Sequence, residues 1–153
     1  PRSKSGIVVK GIDDVAVRFS RCCNPVPGDE IVGFVTRGRG VSIHRTDCVN
    51  VINLPEFDRA RLIDADWQEG SDRNSEKYPA EIVIYATNGL LADVSKALTE
   101  KDIDILSMNT RMSKQGIATM AVTFEISGKE ELNRIIDKIR NIESVCDIER
   151  TTG

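Results

Sequence analysis

Long apolar runs and a secretion-type leader are both missing from this sequence of 153 residues. No apolar run approaches the roughly 20 residues that a membrane-spanning helix needs, and no basic, apolar and small-residue leader precedes the first strand-like segment. Hydrophobic residues make up 40% and charged residues 29%, which is ordinary for a globular protein and unlike a disordered chain. We therefore expect a cytoplasmic protein without membrane contact. Because the sequence begins at Pro1 without an initiating Met, we also expect a piece of a longer chain.

Catalytic groups are also scarce. His44 is the only histidine, and if a metal occupies it, no general base remains for a serine or cysteine nucleophile. No glycine-rich phosphate motif follows a strand. Among the basic residues of the first half, Phe19 and Phe34 are the only aromatics suited to base stacking. The sequence predicts that this chain alone is not an enzyme.

Charge is distributed unevenly. Residues 1–50 hold eight Lys/Arg against five Asp/Glu, whereas residues 51–153 hold thirteen against nineteen. This asymmetry indicates two modules, the first of which could meet an anionic partner, although a solvated basic face explains the excess almost as well.

A polar stretch divides the chain. Residues 68–77, QEGSDRNSEK, contain no apolar side chain, which is typical of a linker. We predict one domain at 1–67, a linker at 68–79 and a second domain at 80–153. Domains this small have thin cores, so a structural metal or oligomerisation would help to stabilise both.

The second half predicts a ferredoxin-like domain. Its periodicities give strands at 81–87, 103–112, 117–126 and 143–150, with helices after the first and third. Ser127 and Glu130 fit a capping box at the start of the second helix. The order β-α-β-β-α-β implies an antiparallel sheet with both helices on one face. The fold class is α+β.

The first half predicts a smaller α+β unit. Strands are expected at 7–9, 15–19, 30–37, 40–44 and 61–67, with a short helix at 46–54 capped by Thr46 or Asp47. Pro25, Pro27 and Gly28 predict a turn directly after two adjacent cysteines.

Three of the four cysteines and the only histidine fall within 27 residues: Cys22, Cys23, His44 and Cys48. This is a complete ligand set for a tetrahedral Cys₃His zinc site. Adjacent cysteines are unlike the usual spacing, however, so buried thiols with a hydrogen-bonded histidine are an open alternative. A disulfide or a redox pair is less favoured, because the predicted compartment is reducing and there is no C-x-x-C motif. Cys146 is interpreted as a core residue.

Two further segments are candidate binding sites. Arg37, Arg39 and Arg45 lie on or near a glycine-flanked hairpin tip suited to phosphate contact, and a solvated tip is the alternative. Asn88, Gly89 and Leu90 lie between a strand and a helix, where free amides could receive a carboxylate, and a plain turn is the alternative.

The cysteine segment carries a family resemblance. Residues 17–51, VRFSRCCNPVPGDEIVGFVTRGRGVSIHRTDCVNV, resemble the conserved-cysteine or zinc-finger domain of bifunctional Rel/SpoT-type guanosine tetraphosphate (ppGpp) synthetase/hydrolases. Residues 80–153 are similar to the ACT domain that ends those enzymes. The motifs CC-N-P-x-P-G-D and G-R-G-V-x-x-H-R-x-D-C are long and distinctive, whereas the ACT similarity is looser.

The resemblance implies a regulatory C-terminal region of the stringent response whose catalytic domains lie N-terminal to it. It implies zinc at Cys22, Cys23, His44 and Cys48. It also implies contact with the ribosome, with rRNA near the cysteine domain, while uncharged tRNA is sensed.

The ACT resemblance further implies amino-acid binding and allosteric regulation, with a branched-chain amino acid as the ligand in some relatives. The positions carried over are Asn88, Gly89, Leu90 and Leu91, facing Ile105, Leu106, Ser107 and Met108 of a neighbouring copy. An edge strand of the ACT sheet would form the homodimer. A nucleic-acid-binding module without a small-molecule ligand is the alternative function.

Overall fold

The computed structural model describes residues 6–12, 15–68, 76–87, 91–99 and 103–152, with residues 91 and 92 described by their backbone only. The chain divides into two compact units. The first consists of Pro1–Glu76 with Thr152–Gly153, and the second is Lys77–Thr151. Most of the linker predicted at 68–79 lies outside the described residues, and its last two positions belong to a strand that begins at Tyr78.

The first unit is a five-stranded sheet with two short helices. The strands are β1 (Ile7–Val9), β2 (Val17–Phe19), β3 (Ile31–Val35), β4 (Val41–Arg45) and β5 (Leu62–Trp67), and the helices are α1 (Val49–Ile52) and α2 (Glu56–Arg59). The sheet order is β1-β5-β3-β4-β2. The β2–β4 pair is parallel and the other pairs are antiparallel.

Strand alternation separates two cores in this unit. Alternate residues of a strand point to opposite faces, so β4 places Val41 and Ile43 in one apolar core and His44 on the other side. That first core includes Ile7, Ile31 and Ala65. On the other side, Cys23, Cys48 and Val51 are buried, with Cys22, Val32 and Leu62 packed against them.

The helix predicted at 46–54 is shorter and begins later. α1 begins after Cys48, whose side chain caps nothing, and neither Thr46 nor Asp47 is the N-cap. The Cys48 amide donates to the Arg45 carbonyl at 3.1 Å, so a turn occupies the place of the expected first helical turn. Pro55 then separates α1 from α2 because a helix rarely continues through the residue before proline.

The second unit is a four-stranded antiparallel sheet with two helices. Its elements are β6 (Tyr78–Thr87), α3 (Leu91–Thr99), β7 (Asp104–Met112), β8 (Ile117–Ile126), α4 (Lys129–Arg140) and β9 (Val145–Arg150). The sheet order is β7-β8-β6-β9, and every pair is antiparallel. The β-α-β-β-α-β prediction is therefore confirmed. The two helices contact each other and so lie on one face of the sheet.

The alternation predicted for the central strand β8 is confirmed. Its buried residues are Ala118, Met120, Val122, Phe124 and Ile126. The helices contribute the buried side chains Val94, Leu98, Leu132, Ile135 and Ile139. Ile136 of the predicted α4 stripe is half-buried. The alternate residues of the strand and the apolar stripes of the helices thus form one core between the sheet and the helices.

Two local predictions in this unit are wrong. The capping box is absent: Gly128 is the N-cap of α4, and the Ser127 hydroxyl instead donates to the Glu131 carboxylate at 3.0 Å. Cys146 is exposed rather than in the core. It lies on the edge strand β9 at a register shift, where Tyr85 pairs with Asp147 and Ala86 with Val145, so Cys146 is the unpaired residue of a bulge.

Within the part of the chain that the structure describes, no helix combines the length and apolarity needed to cross a membrane.

Candidate metal centre

A tight turn brings the two adjacent cysteines to the same side. The Asn24 amide donates to the Ser20 carbonyl at 2.9 Å, which closes the turn around Cys22 and Cys23. Asn24 has a φ of 47°, a left-handed conformation that asparagine tolerates better than most residues. The turn leaves the Cys22 and Cys23 sulfurs 4.0 Å apart. This is the special backbone bend that adjacent metal ligands require.

His44 and Cys48 reach the same place from the next segment. His44 lies on β4 opposite Val32 of β3, and Cys48 ends the turn that precedes α1. The Cys22 sulfur lies 3.5 Å from His44 Nδ1 and 3.6 Å from the Cys48 sulfur, and the Cys23 sulfur lies 3.9 Å from Nδ1. All four predicted ligand atoms lie within 4.8 Å of one another.

These separations match a tetrahedron around one ion. Zinc bonded at about 2.3 Å to sulfur and about 2.0–2.1 Å to nitrogen places two sulfurs about 3.8 Å apart, and a sulfur and a nitrogen about 3.6 Å apart. The observed sulfur–sulfur contacts of Cys22 are 4.0 and 3.6 Å, and the sulfur–nitrogen contacts are 3.5 and 3.9 Å. Four of the six separations are therefore close to those around a zinc ion, and all six lie within 4.8 Å.

Neighbouring groups orient the four side chains. Ser20 Oγ lies 3.0 Å from His44 Nε2, so the hydroxyl holds the ring with Nδ1 facing the sulfurs. The Arg45 backbone amide donates to the Cys23 sulfur at 3.3 Å, a contact that favours thiolate. Hydrogen bonds to the far side of a histidine and to sulfur are typical supports of metal ligands.

Arg45 is part of this support and not of the surface. Its side chain is only 7% exposed, and it pairs with Asp47 at 2.6 Å. Its Nη1 donates to the Cys23 carbonyl at 3.1 Å. The sequence predicts Arg45 as an RNA contact, but the structure places its guanidinium against the backbone of the cysteine turn.

Burial governs the acid–base state of the cluster. It is the main reason that the pKa of the Cys23 thiol is raised to about 12; the Arg45 amide opposes the shift, and Cys22 and Cys48 add to it. Burial also raises the pKa of Cys48 and lowers that of His44. Three adjacent thiolates are unfavourable here unless a cation lies among them, because a bound metal ion favours deprotonated thiols.

Sequence reasoning found the four ligand candidates but missed Ser20, Asn24 and the contact of Arg45 with the cysteine turn. Ser20 is 24 residues from His44, and no local pattern signals that contact. The left-handed conformation of Asn24 was predictable, since this asparagine follows the cysteine pair directly and precedes a proline.

The turn between β3 and β4 is the arginine-bearing hairpin tip that the sequence predicts. Arg37 and Arg39 are exposed between β3 and β4, and the Thr36 hydroxyl accepts from the Arg39 amide at 3.1 Å. Gly40 has a φ of 76°, and a Cβ there would lie 2.2 Å from the Ala16 carbonyl oxygen, so only glycine fits. The tip therefore presents two arginines to solvent on a fixed backbone.

The predicted amino-acid site is described only in part. Asn88, Gly89 and Leu90 lie outside the described residues, and Leu91 is described by its backbone as the first residue of α3. The other four predicted positions lie on the edge strand β7, where Leu106 is 54% and Met108 37% exposed. This edge is available to a second copy of the chain.

Fold and site together define a β-rich unit with a Cys₃His cluster, followed in sequence by a ferredoxin-like unit. Residues 7–68 match the family described as the RelA/SpoT RIS domain, and residues 74–150 match the ACT domain family. The chain therefore belongs to the ACT-domain family and carries a RelA/SpoT RIS domain ahead of its ACT domain. Both are regulatory domains of RelA-type proteins, and neither match is to a catalytic domain.

The chain is similar along nearly its whole length to several RelA-type proteins. The chain is 40% identical to the GTP pyrophosphokinase of Streptomyces coelicolor over 97% of its own length and 17% of that protein. It is 36% identical to the GTP pyrophosphokinase of Escherichia coli K12 over 99% of its length and 21% of that protein. It is 38% identical to the bifunctional (p)ppGpp synthase/hydrolase RelA of Mycobacterium tuberculosis over all of its length and 21% of that protein. The chain thus spans about a fifth of each relative.

Proposed function

We propose that this chain is the regulatory C-terminal region of a (p)ppGpp synthetase/hydrolase, in which the ACT domain senses a branched-chain amino acid and the RIS domain is built around zinc. The observation that carries the proposal is the pairing of a RIS and an ACT domain with sequence similarity to RelA-type enzymes over nearly the whole chain. The catalytic domains of the parent protein are the partners that this region would control.

Zinc is the ion that the cluster suits. Three cysteine sulfurs and one imidazole nitrogen form a soft donor set, and closed four-ligand sites of this kind are structural zinc sites. Three thiolates and a divalent cation leave one net negative charge, and the Arg45–Asp47 ion pair lies beside it with the Arg45 guanidinium against the Cys23 carbonyl. The ion would stabilise a unit whose separate cores are small.

An amino acid would bind at the turn before α3. Its carboxylate would accept hydrogen bonds from amides of residues 88–91, and its apolar side chain would lie against Ile105 and Met108 of a second copy. The exposed apolar edge of β7 supports this geometry, because a dimer through that edge would cover it.

Calorimetric titration with valine, isoleucine and leucine tests the amino-acid site. We expect saturable binding at millimolar concentration or below, and Met108→Asp is expected to weaken it at least tenfold because a charge would enter the apolar side of the pocket. Met112→Asp is the matched control: Met112 is an exposed methionine on the same strand, outside the predicted site. No heat of binding from a folded sample, or equal effects of the two variants, would rule out this site.

A nucleic-acid contact is the second candidate function, and the exposed arginine pair at the tip favours it. The charge of Arg37 and Arg39 would neutralise phosphates of rRNA or tRNA and release their counterions.

Reversing both charges, Arg37→Glu with Arg39→Glu, is expected to weaken association with bacterial ribosomes at least tenfold. The salt dependence should fall by about one unit of slope per lost phosphate contact. Lys129→Glu with Arg140→Glu makes the same charge change on α4 and should have little effect. Equal binding and equal salt slopes for both double variants would identify the tip as a solvated surface.

A further inference from the structure

A cavity of about 320 Å³ lies within the second unit, beside α3 and α4. Its lining comes from the C-terminal part of α3, one side of α4, the start of β7 and the end of β8. Lys77, the residue before β6, completes the lining. Its volume falls at the lower end of the range of small-molecule sites. The predicted turn site lies at the opposite end of α3: Leu91 and Ala97 are six residues apart, or about 9 Å along a helix.

The inner wall of the cavity is apolar. Leu98 and Ile139 are almost fully buried, Ile135 is 8% exposed, and Ala97 and Ile103 complete the wall. The wall comes from two helices, which the core already fixes, and from the residue before β7. An apolar group of a few carbons would therefore find a surface that exists before the ligand binds.

The mouth of the cavity carries both signs of charge. Lys77, Arg134 and Lys138 supply three positive groups, and Asp104, Glu125 and Glu131 supply three negative ones. Arg134 and Lys138 are one helical turn apart on α4, so they lie on the same side. The Ser127 hydroxyl donates to Glu131 at 3.0 Å and fixes this carboxylate at the mouth.

We propose that this cavity is a second ligand site, which binds a small zwitterion with an apolar side chain, the chemistry of a free aliphatic α-amino acid. Its carboxylate pairs with Arg134 and Lys138, its ammonium group with Glu131 and Asp104, and its side chain lies on Leu98, Ile135 and Ile139. The site is separate from the turn at 88–91, belongs to one protomer and needs no second copy.

The charge balance selects against other ligands of similar size. A nucleotide would bring several negative charges against Glu125, Glu131 and Asp104. A fatty acid would pair with Arg134 but bring no cation to the carboxylates, so the mouth would gain a net negative charge. The charges at the mouth sum to zero, and a zwitterion likewise carries one positive and one negative group. Only the apolar end of such a ligand must leave water.

The test is an amide-shift NMR titration of the intact chain with L-leucine, leucinamide and 4-methylpentanoate. The two analogues lack the carboxylate charge and the ammonium group, respectively. We expect saturable leucine shifts at Ala97, Ile103 and Ile135, and at least tenfold weaker binding there for both analogues. Shifts at residues 88–91 and 105–108 report on the proposed turn site separately, so each site succeeds or fails on its own signals.

Variants on α4 complete the test. Arg134→Glu is expected to weaken leucine binding at the cavity at least tenfold. Arg140→Glu, an exposed arginine on the same helix that does not line the cavity, should stay within twofold of the parent. The proposal is overturned by an absence of shifts at the cavity residues, by analogues that bind there as tightly as leucine, or by equal effects of the two variants.

Discussion

Replacing Cys48 by serine is expected to unfold the first compact unit while the second unit stays folded. Cys48 is fully buried and contributes one of the four proposed zinc ligands, so the variant loses a metal–sulfur bond in the smaller of the two cores. Structural zinc contributes about 10–16 kcal/mol to the folding of small domains, more than the roughly 5–15 kcal/mol by which most domains are stable. Loss of one of four ligands removes a large part of this free energy, and that part is large compared with the stability of a small unit.

Two-dimensional amide NMR measures this outcome, because the units give separate signals. Signals from β3 and β4 should collapse in the variant, and those from β6 and β8 should stay. Cys146→Ser is the control, since Cys146 is exposed and far in sequence from the cluster. Chelation of the parent protein should reproduce the Cys48→Ser spectrum. A variant that keeps the parent signals throughout the first unit would show that this unit folds without the metal.

Replacing Phe124 by alanine is expected to reduce the stability of the second unit by about 3–5 kcal/mol, through lost apolar burial and the cavity left behind. Phe124 is fully buried on the central strand β8 and is among the largest fully buried side chains described. It pairs with Ala80 of β6 on one side and Ile105 of β7 on the other.

Chemical denaturation, followed at signals of the second unit, gives the free energy of unfolding. Ile117→Ala on the same strand is the control: Ile117 is 37% exposed, so its loss should cost less than about 1 kcal/mol. A cost for Phe124→Ala no larger than that for Ile117→Ala would contradict the packing described for this sheet.

Periodic features of the sequence predicted the fold well. β8 was predicted with its correct bounds because alternation over ten residues, from Ile117 to Ile126, is an unambiguous two-residue period. The β-α-β-β-α-β order followed from such local patterns.

Local predictions failed where contacts with other parts of the fold override the local sequence pattern. The helix α4 begins one residue later than the capping box requires, with Gly128 as its N-cap, and the Ser127 hydroxyl donates to the Glu131 carboxylate instead. Cys146 was predicted in the core because it lies in the last strand, yet the bulge on β9 leaves it exposed. A bulge depends on the partner strand and leaves no mark in one strand's own pattern.

The candidate metal centre was predictable as a ligand set but not as a geometry. Counting cysteines and histidine identified Cys22, Cys23, His44 and Cys48. The left-handed Asn24 closes a local turn that lets adjacent cysteines face one point, whereas Ser20, which orients His44, contacts it across 24 residues of sequence. Such contacts exist only after the sheet has formed.

Zinc content per chain tests the central claim most directly. The protein would be purified without added metal, analysed by elemental mass spectrometry and assayed for free thiols before and after chelation. We predict one zinc per chain, with one reactive thiol, Cys146, before chelation and all four cysteines reactive afterwards. A folded protein with no metal and an unchanged thiol count on chelation would contradict the account, and the cluster would then be a packed group of neutral thiols around His44.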